Sequence, residues 1–269
     1  MERPKDLPDF QSPPLSEVVV GIQFAPVQRY QQIRAGEVWA LFRKEYPRVQ
    51  ELAPLQPMFE TFGLPQGGQI GLGITMGATH NRFWFLSESG DELIQFQQDR
   101  LLHNWRKIAN QTNEYPRFEK IISTFESEIG AINDYFVNLS GQAAAINQCE
   151  LSYINHIPLE VEGRQTNEGD WLRFIQFHGS EPEDFSIVFR KTIRASDGRP
   201  QGRLTSEAVS GIDVKGQRII VLTLTARGAP VAQTSDSALE FLKLGRKIIV
   251  KSFADITTDA AHVFWERVQ

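Results

Sequence analysis

The residue types best suited to catalysis or metal binding are spread through this 269-residue chain without assembling. His80, His103, His156, His178 and His262 fall on separate predicted elements. None of them stands in a recognised metal-ligand spacing with another histidine or a carboxylate. Cys149 and His156 could serve as nucleophile and base only within hydrogen-bond reach. Seven residues along one extended strand instead put them on opposite faces, over ~20 Å apart. A lone cysteine also allows no intramolecular disulfide and no cysteine-built metal cage. Gly71-Leu72-Gly73 followed by Gly77 misses the dinucleotide-loop spacing, and neither a Gly-X-Ser-X-Gly elbow nor a loop ending in Gly-Lys-Ser/Thr occurs. Glu181, Glu183 and Asp184 beside Pro182 could offer oxygens to a hard cation or form a solvated loop. The expectation is no catalytic residue, no metal and no cofactor.

Recognition chemistry is better represented. Asn104-Trp105-Arg106-Lys107, with Tyr115 and Arg117 downstream, combines groups that stack on a planar ligand or anchor a protein interface. A structural reading stands beside it, in which Trp105 packs under the following helix while Asn104 and Arg106 satisfy a loop. Arg100, Arg106, Lys107, Arg117 and Lys120 are interleaved with Trp105 and Tyr115, the mixture a nucleic-acid reader uses. Asp99, Glu114 and Glu119 dilute that field, and 28 basic against 33 acidic residues leave the whole chain at −5. Nucleic acid is therefore not the expected partner. Tyr153, Asn155 and His156 form a second group, at the end of a predicted strand. They could line the mouth of a small-molecule pocket over a curved sheet, or hydrogen-bond the next turn.

The elements that must position these groups follow from hydrophobic period. Residues 1–16 hold Pro4, Pro8, Pro13 and Pro14 and read as an extended arm. Val18, Val20, Ile22 and Phe24 alternate as a half-buried strand, and Gly36 to Tyr46 reads as a helix stopped by Pro47. Gln66 to Gly73 is the loosest loop, and Phe83–Leu86 and Leu93–Phe96 pair across Ser89-Gly90-Asp91 as a hairpin. Phe118, Ile121, Ile122, Phe125, Ile129, Ile132 and Phe136 mark a long amphipathic helix over 116–136, with Pro116 in its first turn. Strands are expected at 149–157, 171–177, 185–193, 203–213 and 218–226. A helix over 236–253 capped by Ser235, and a short one capped by Thr257 or Thr258, complete the chain. The fold class expected is α+β in two halves, 17–138 and 143–269, each a largely antiparallel sheet covered by a long helix. With 41% hydrophobic residues and 18 Phe against 5 Tyr, the aromatic mass is made for burial in a globular core.

Several landmarks together resemble a sporadically distributed family of uncharacterised prokaryotic proteins of about this length. They are Pro13-Pro14-Leu15-Ser16-Glu17-Val18-Val19, Gln97-Gln98-Asp99-Arg100 with Asn104-Trp105-Arg106-Lys107, Tyr115-Pro116-Arg117-Phe118-Glu119, and Cys149 to Ile157. The tail from Phe253 through His262 to Trp265 belongs to the same resemblance. It implies no activity, cofactor or site residue, and its patchy distribution implies a regulatory or partner-binding role in a defence or stress system. The N-terminus lacks an apolar signal region, so a cytoplasmic, non-membrane protein is expected. The function expected is a non-enzymatic interaction or sensor protein docking a protein partner through Asn104, Trp105, Arg106, Lys107, Tyr115 and Arg117. The alternative is a small-molecule-binding domain or hydrolase with a pocket at Tyr153, Asn155 and His156.

Overall fold

The computed structural model describes residues 4, 6–63, 80–108, 113–161, 163–178 and 182–269. Its strands in chain order are β1 (Leu15–Phe24), β2 (Arg48–Leu52), β3 (Arg82–Leu86), β4 (Glu92–Gln97), β5 (Arg100–Arg106) and β6 (Ile146–Pro158). They continue with β7 (Glu160–Val161), β8 (Arg164–Gln165), β9 (Ser186–Arg194), β10 (Pro200–Ile212) and β11 (Arg218–Gly228). The helices are α1 (Ala35–Phe42), α2 (Phe118–Ser140), α3 (Glu168–Trp171), α4 (Ser235–Ile256) and α5 (Asp259–Phe264). The architecture is α+β.

Nine of the strands form one antiparallel sheet in the order β2-β3-β4-β5-β1-β6-β11-β10-β9, and β7 and β8 pair separately. The sheet runs unbroken across the boundary expected near 138–142, because β1 is bonded to β5 on one side and to β6 on the other. Both neighbours are antiparallel to β1 and therefore parallel to each other. Parallel strands cannot be joined by a hairpin, and α2 is the crossover that joins them. Strand β1 is buried over nearly its whole length rather than on alternate residues, because helices cover one face and the segment at 55–58 lies against the other.

Helix α2 carries the expected apolar stripe, with Phe118, Ile121, Ile122, Phe125, Ile129, Ile132 and Phe136 all buried. It begins two residues later than expected: Arg117, at φ 71°, is the cap, and Pro116 lies outside the helix. It ends at Gly141, whose φ of 81° lets its N–H reach the Val137 carbonyl at 2.8 Å. Helix α4 packs on β6 and β11 on the same side of the sheet, capped by Thr234 rather than Ser235. The strand expected at 171–177 is absent. Asp170 accepts a hydrogen bond from the Asn167 N–H and opens the short helix α3, and Trp171 stacks on Trp265 at 5.7 Å. That aromatic run docks against α5 instead of joining a ladder.

The far face of the sheet is polar. A strap from Leu55 to Phe62 crosses it, fastened by hydrogen bonds between Leu55 and Gln97 and from the Met58 N–H to Gln23. Ion pairs from Glu60 to Arg203 and Arg227 extend the fastening. The loop expected at 66–73 lies outside the described residues.

The N-terminal arm is fixed to the C-terminus. Asp9 N–H donates to Gln269, Val268 N–H donates back to Asp9, and the N–H groups of Gln11 and Ser12 reach Glu266 and Trp265. Phe10 is buried edge-on against Phe253, His262 and Trp265. Replacing Phe10 with alanine is expected to cost about 3–5 kcal/mol, through lost burial and the cavity left behind. Denaturant titration checks the loss, and faster proteolysis within the arm should accompany it.

Candidate binding pocket beneath the N-terminal arm

Strand alternation divides the residues singled out from sequence between two faces of the sheet. Trp105, Val18, Tyr153 and Leu224 are opposite one another across β5, β1, β6 and β11, and all point toward the helices. Trp105 is 2% exposed, so it is not a surface anchor. Asn104 points the other way and is also buried, between Gln95 and Glu17, which it hydrogen-bonds. Arg106 donates to the Gly90 carbonyl at 2.8 Å, and its guanidinium lies 5.7 Å from the Trp84 ring centroid. The docking patch expected at Asn104–Lys107 is thus a buried strand whose side chains face opposite ways, with only Lys107 exposed. The same alternation separates His156, which is exposed, from Tyr153 and Asn155, which are buried. It also leaves Cys149 in the core, its thiol pushed well up by burial, away from His156.

Tyr115, Arg117, Tyr153 and Asn155 do come together. They line one cavity of about 70 Å³ between the sheet, the first turn of α2, the middle of α4 and the arm. Tyr115, from the connection between β5 and α2, lies 5.3 Å from the Trp105 ring and 6.4 Å from the Tyr153 ring. The two phenol oxygens are 3.1 Å apart. Burial raises both phenol pKa values, so both groups stay protonated and neither is a base near neutrality. Two O–H groups with one bond between them leave one donor free for another acceptor. Asn155 uses its amide nitrogen on the Leu222 carbonyl, which fixes the side chain in the wall.

Two features of this cavity lie outside the groups singled out from sequence. Arg246 enters from α4, buried, with Nη1 2.8 Å from Glu119 and the guanidinium 5.0 Å from the Phe118 ring centroid. Its Nε has no partner among the described residues. The arm supplies the second, as Phe10, Pro13 and Leu15 complete the wall. Arg117 holds the arm there through Asp9 at 3.0 Å. A wider cleft of about 580 Å³ adjoins the cavity, sharing Pro13, Leu15, Tyr115 and Arg117 and adding Lys107, Asn113 and Glu114.

A second buried polar cluster lies under α2. Glu128 accepts a hydrogen bond from the Tyr46 hydroxyl at 2.9 Å and meets His103 Nδ1 at 3.0 Å. All three residues are 5% exposed or less. His103 stands in no recognised metal-ligand spacing, and its carboxylate partner is 25 residues away on another element.

Among the described residues no group of three or more His, Cys, Asp or Glu side chains is placed to hold a metal ion. Of the acidic loop at 181–184, Glu181 lies outside the described residues. No helix among them is long and apolar enough to cross a membrane. Comparison with family models, curated proteins and solved structures returns no match.

Proposed function

We propose that the protein is a non-enzymatic binding module that takes a small molecule into the cavity beneath its N-terminal arm. One observation carries this reading: Tyr115, Arg117, Tyr153, Asn155 and Arg246 come from separate segments and converge on one largely apolar cavity. Apolar walls with a few converging polar groups are the usual composition of a ligand site. Both phenols stay protonated near neutrality, and Cys149 is buried while His156 is exposed, which favours binding over catalysis. Docking of a protein partner on Trp105 is disfavoured because that ring is inside the fold. A sensor role follows naturally, since the cavity wall includes the arm and an occupant would change how firmly the arm is held.

Native mass spectrometry of the full chain against a mixed metabolite extract tests the proposal. The wild type is expected to retain a discrete small-molecule mass, and Val250→Phe, which fills the cavity from α4, should lose it. A wild-type protein that retains nothing would sink the reading. Retention by a folded Val250→Phe variant would do so as well.

A further inference from the structure

We propose that the ligand of this pocket carries a carboxylate, held side-on by Arg246 and by a tyrosine hydroxyl, with a short apolar body among Phe10, Phe118, Leu224, Ile249 and Phe253. The inference rests on the pocket reading above. The two groups assigned to the ligand, Arg246 and a tyrosine hydroxyl, are donors, while Asn155 spends its amide nitrogen on the wall and Asp9 is paired with Arg117. A guanidinium presents Nε–H and one Nη–H along a single edge, and that edge matches the two oxygens of a carboxylate. Glu119 engages Nη1, whereas the buried Nε has no partner among the described residues. An unmatched N–H on a buried cation is costly. Arg82 also leaves its buried Nε without a hydrogen bond among the described residues, but it lies outside this cavity, whereas Arg246 lines it.

The tyrosine pair adds a third donor. Tyr115 and Tyr153 share one hydrogen bond and hold two protons, so one O–H is free to point at an acceptor. Replacing the Tyr153 hydroxyl by hydrogen keeps the ring packing and moves the remaining donor to the Tyr115 oxygen, 3.1 Å away. The charged side chains balance, and the helix end tips the cavity toward an anion. Arg117 and Arg246 face Asp9 and Glu119, two charges of each sign. The 23-residue helix α2 then begins at Phe118 in the cavity wall and adds its positive end. The apolar body is read from the five side chains named, all of them buried. The cavity of about 70 Å³ keeps that body short.

Isothermal titration of the full chain with straight-chain monocarboxylates from acetate to octanoate, and with the primary amides of the same acids, tests the assignment. At least one acid is expected to bind saturably, about tenfold or more tighter than its amide, because only the anion uses the full guanidinium edge. Arg246→Lys keeps the charge and loses the edge, so it should weaken the acid by about tenfold. Tyr153→Phe should weaken it severalfold with the melting temperature held near wild type, which separates lost contact from lost fold. An amide that binds as tightly as its acid would overturn the carboxylate and leave the pocket standing. So would a retained metabolite with no acidic group. Failure of both series together with an empty metabolite screen would remove the pocket itself.

Discussion

His103→Ala is expected to lower the free energy of unfolding by about 3–5 kcal/mol, more than its small change in apolar area would cause. The substitution leaves Glu128 inside the fold with Tyr46 as its one remaining hydrogen-bond partner among the described residues. A buried carboxylate stripped of its cation keeps its desolvation cost and loses the compensation. His103→Leu combined with Glu128→Leu should be milder than the sum of the two single changes, because neither charge is then stranded. The loss should also depend on pH. Burial pulls the His103 pKa down, but the charge and hydrogen bond of Glu128, helped by Glu92, outweigh it and raise it above 6.5. The folded protein therefore binds this proton more tightly than the unfolded chain does. The stabilisation is complete below 6.5 and declines as pH rises through the folded value. Urea titrations of wild type and His103→Ala should show the largest gap in mildly acidic buffer and a smaller one in alkaline buffer. A gap that stays constant across that range would mean that charge pairing plays no part.

This pair also shows how far the sequence could be read. His103 occupies an inward position on the strand, between Leu101 and Trp105, and Glu128 interrupts the apolar stripe of α2 between Phe125 and Ile132. Each was visible as a polar intruder on an apolar face. What could not be read was that the two meet, since that depends on α2 crossing back over β1. The single sheet was hidden for the same reason. Local period defines strands, but the order β5-β1-β6 is set by which strands share an edge after the crossover.

The candidate site followed similar limits. Tyr115, Arg117, Tyr153 and Asn155 could be singled out by type, though as two groups, and the fold merges them into one wall. Asn104 and His156 could have been set apart by alternation alone. In a strand that points Trp105 inward, Asn104 must point outward, and the same rule divides Asn155 from His156. Taken as one patch, Asn104–Lys107 conceals that Arg100–Arg106 alternates as a strand. Arg246, between Leu242 and Ile249, was legible in the same way as a polar intruder on the apolar face of α4, but its meeting with Glu119 and Phe118 of another helix was not.

Gly228→Ala is expected to destabilise the protein by about 3 kcal/mol or more, although glycine in a strand is normally the weaker choice. Gly228 of β11 is directly opposite Gly202 of β10. A methyl group on Gly228 would lie 2.5 Å from the Gln201 carbonyl oxygen, 2.6 Å from the Gly202 Cα and 2.7 Å from the Phe241 ring. Two of those three contacts are backbone, and rotating a side chain cannot relieve them. The same Gln201 carbonyl accepts the Ala229 N–H at 3.1 Å, so opening the strands to admit the methyl would break the backbone bond that closes the end of the β10–β11 pair. The third contact is the ring of Phe241, 2% exposed, which seats α4 on the glycine pair. Neither glycine has a positive φ, so the requirement is for space and not for backbone freedom. Phe241→Leu in the Gly228→Ala background should therefore restore only part of the loss. Gly130→Ala supplies the contrast: it lies within α2 with nothing in reach of an added methyl, and alanine there should stabilise by about 1 kcal/mol. Denaturant titration of the three variants decides the matter. If Gly228→Ala proves as stable as wild type, the close approach of β10, β11 and α4 at this point is not what holds α4 in place.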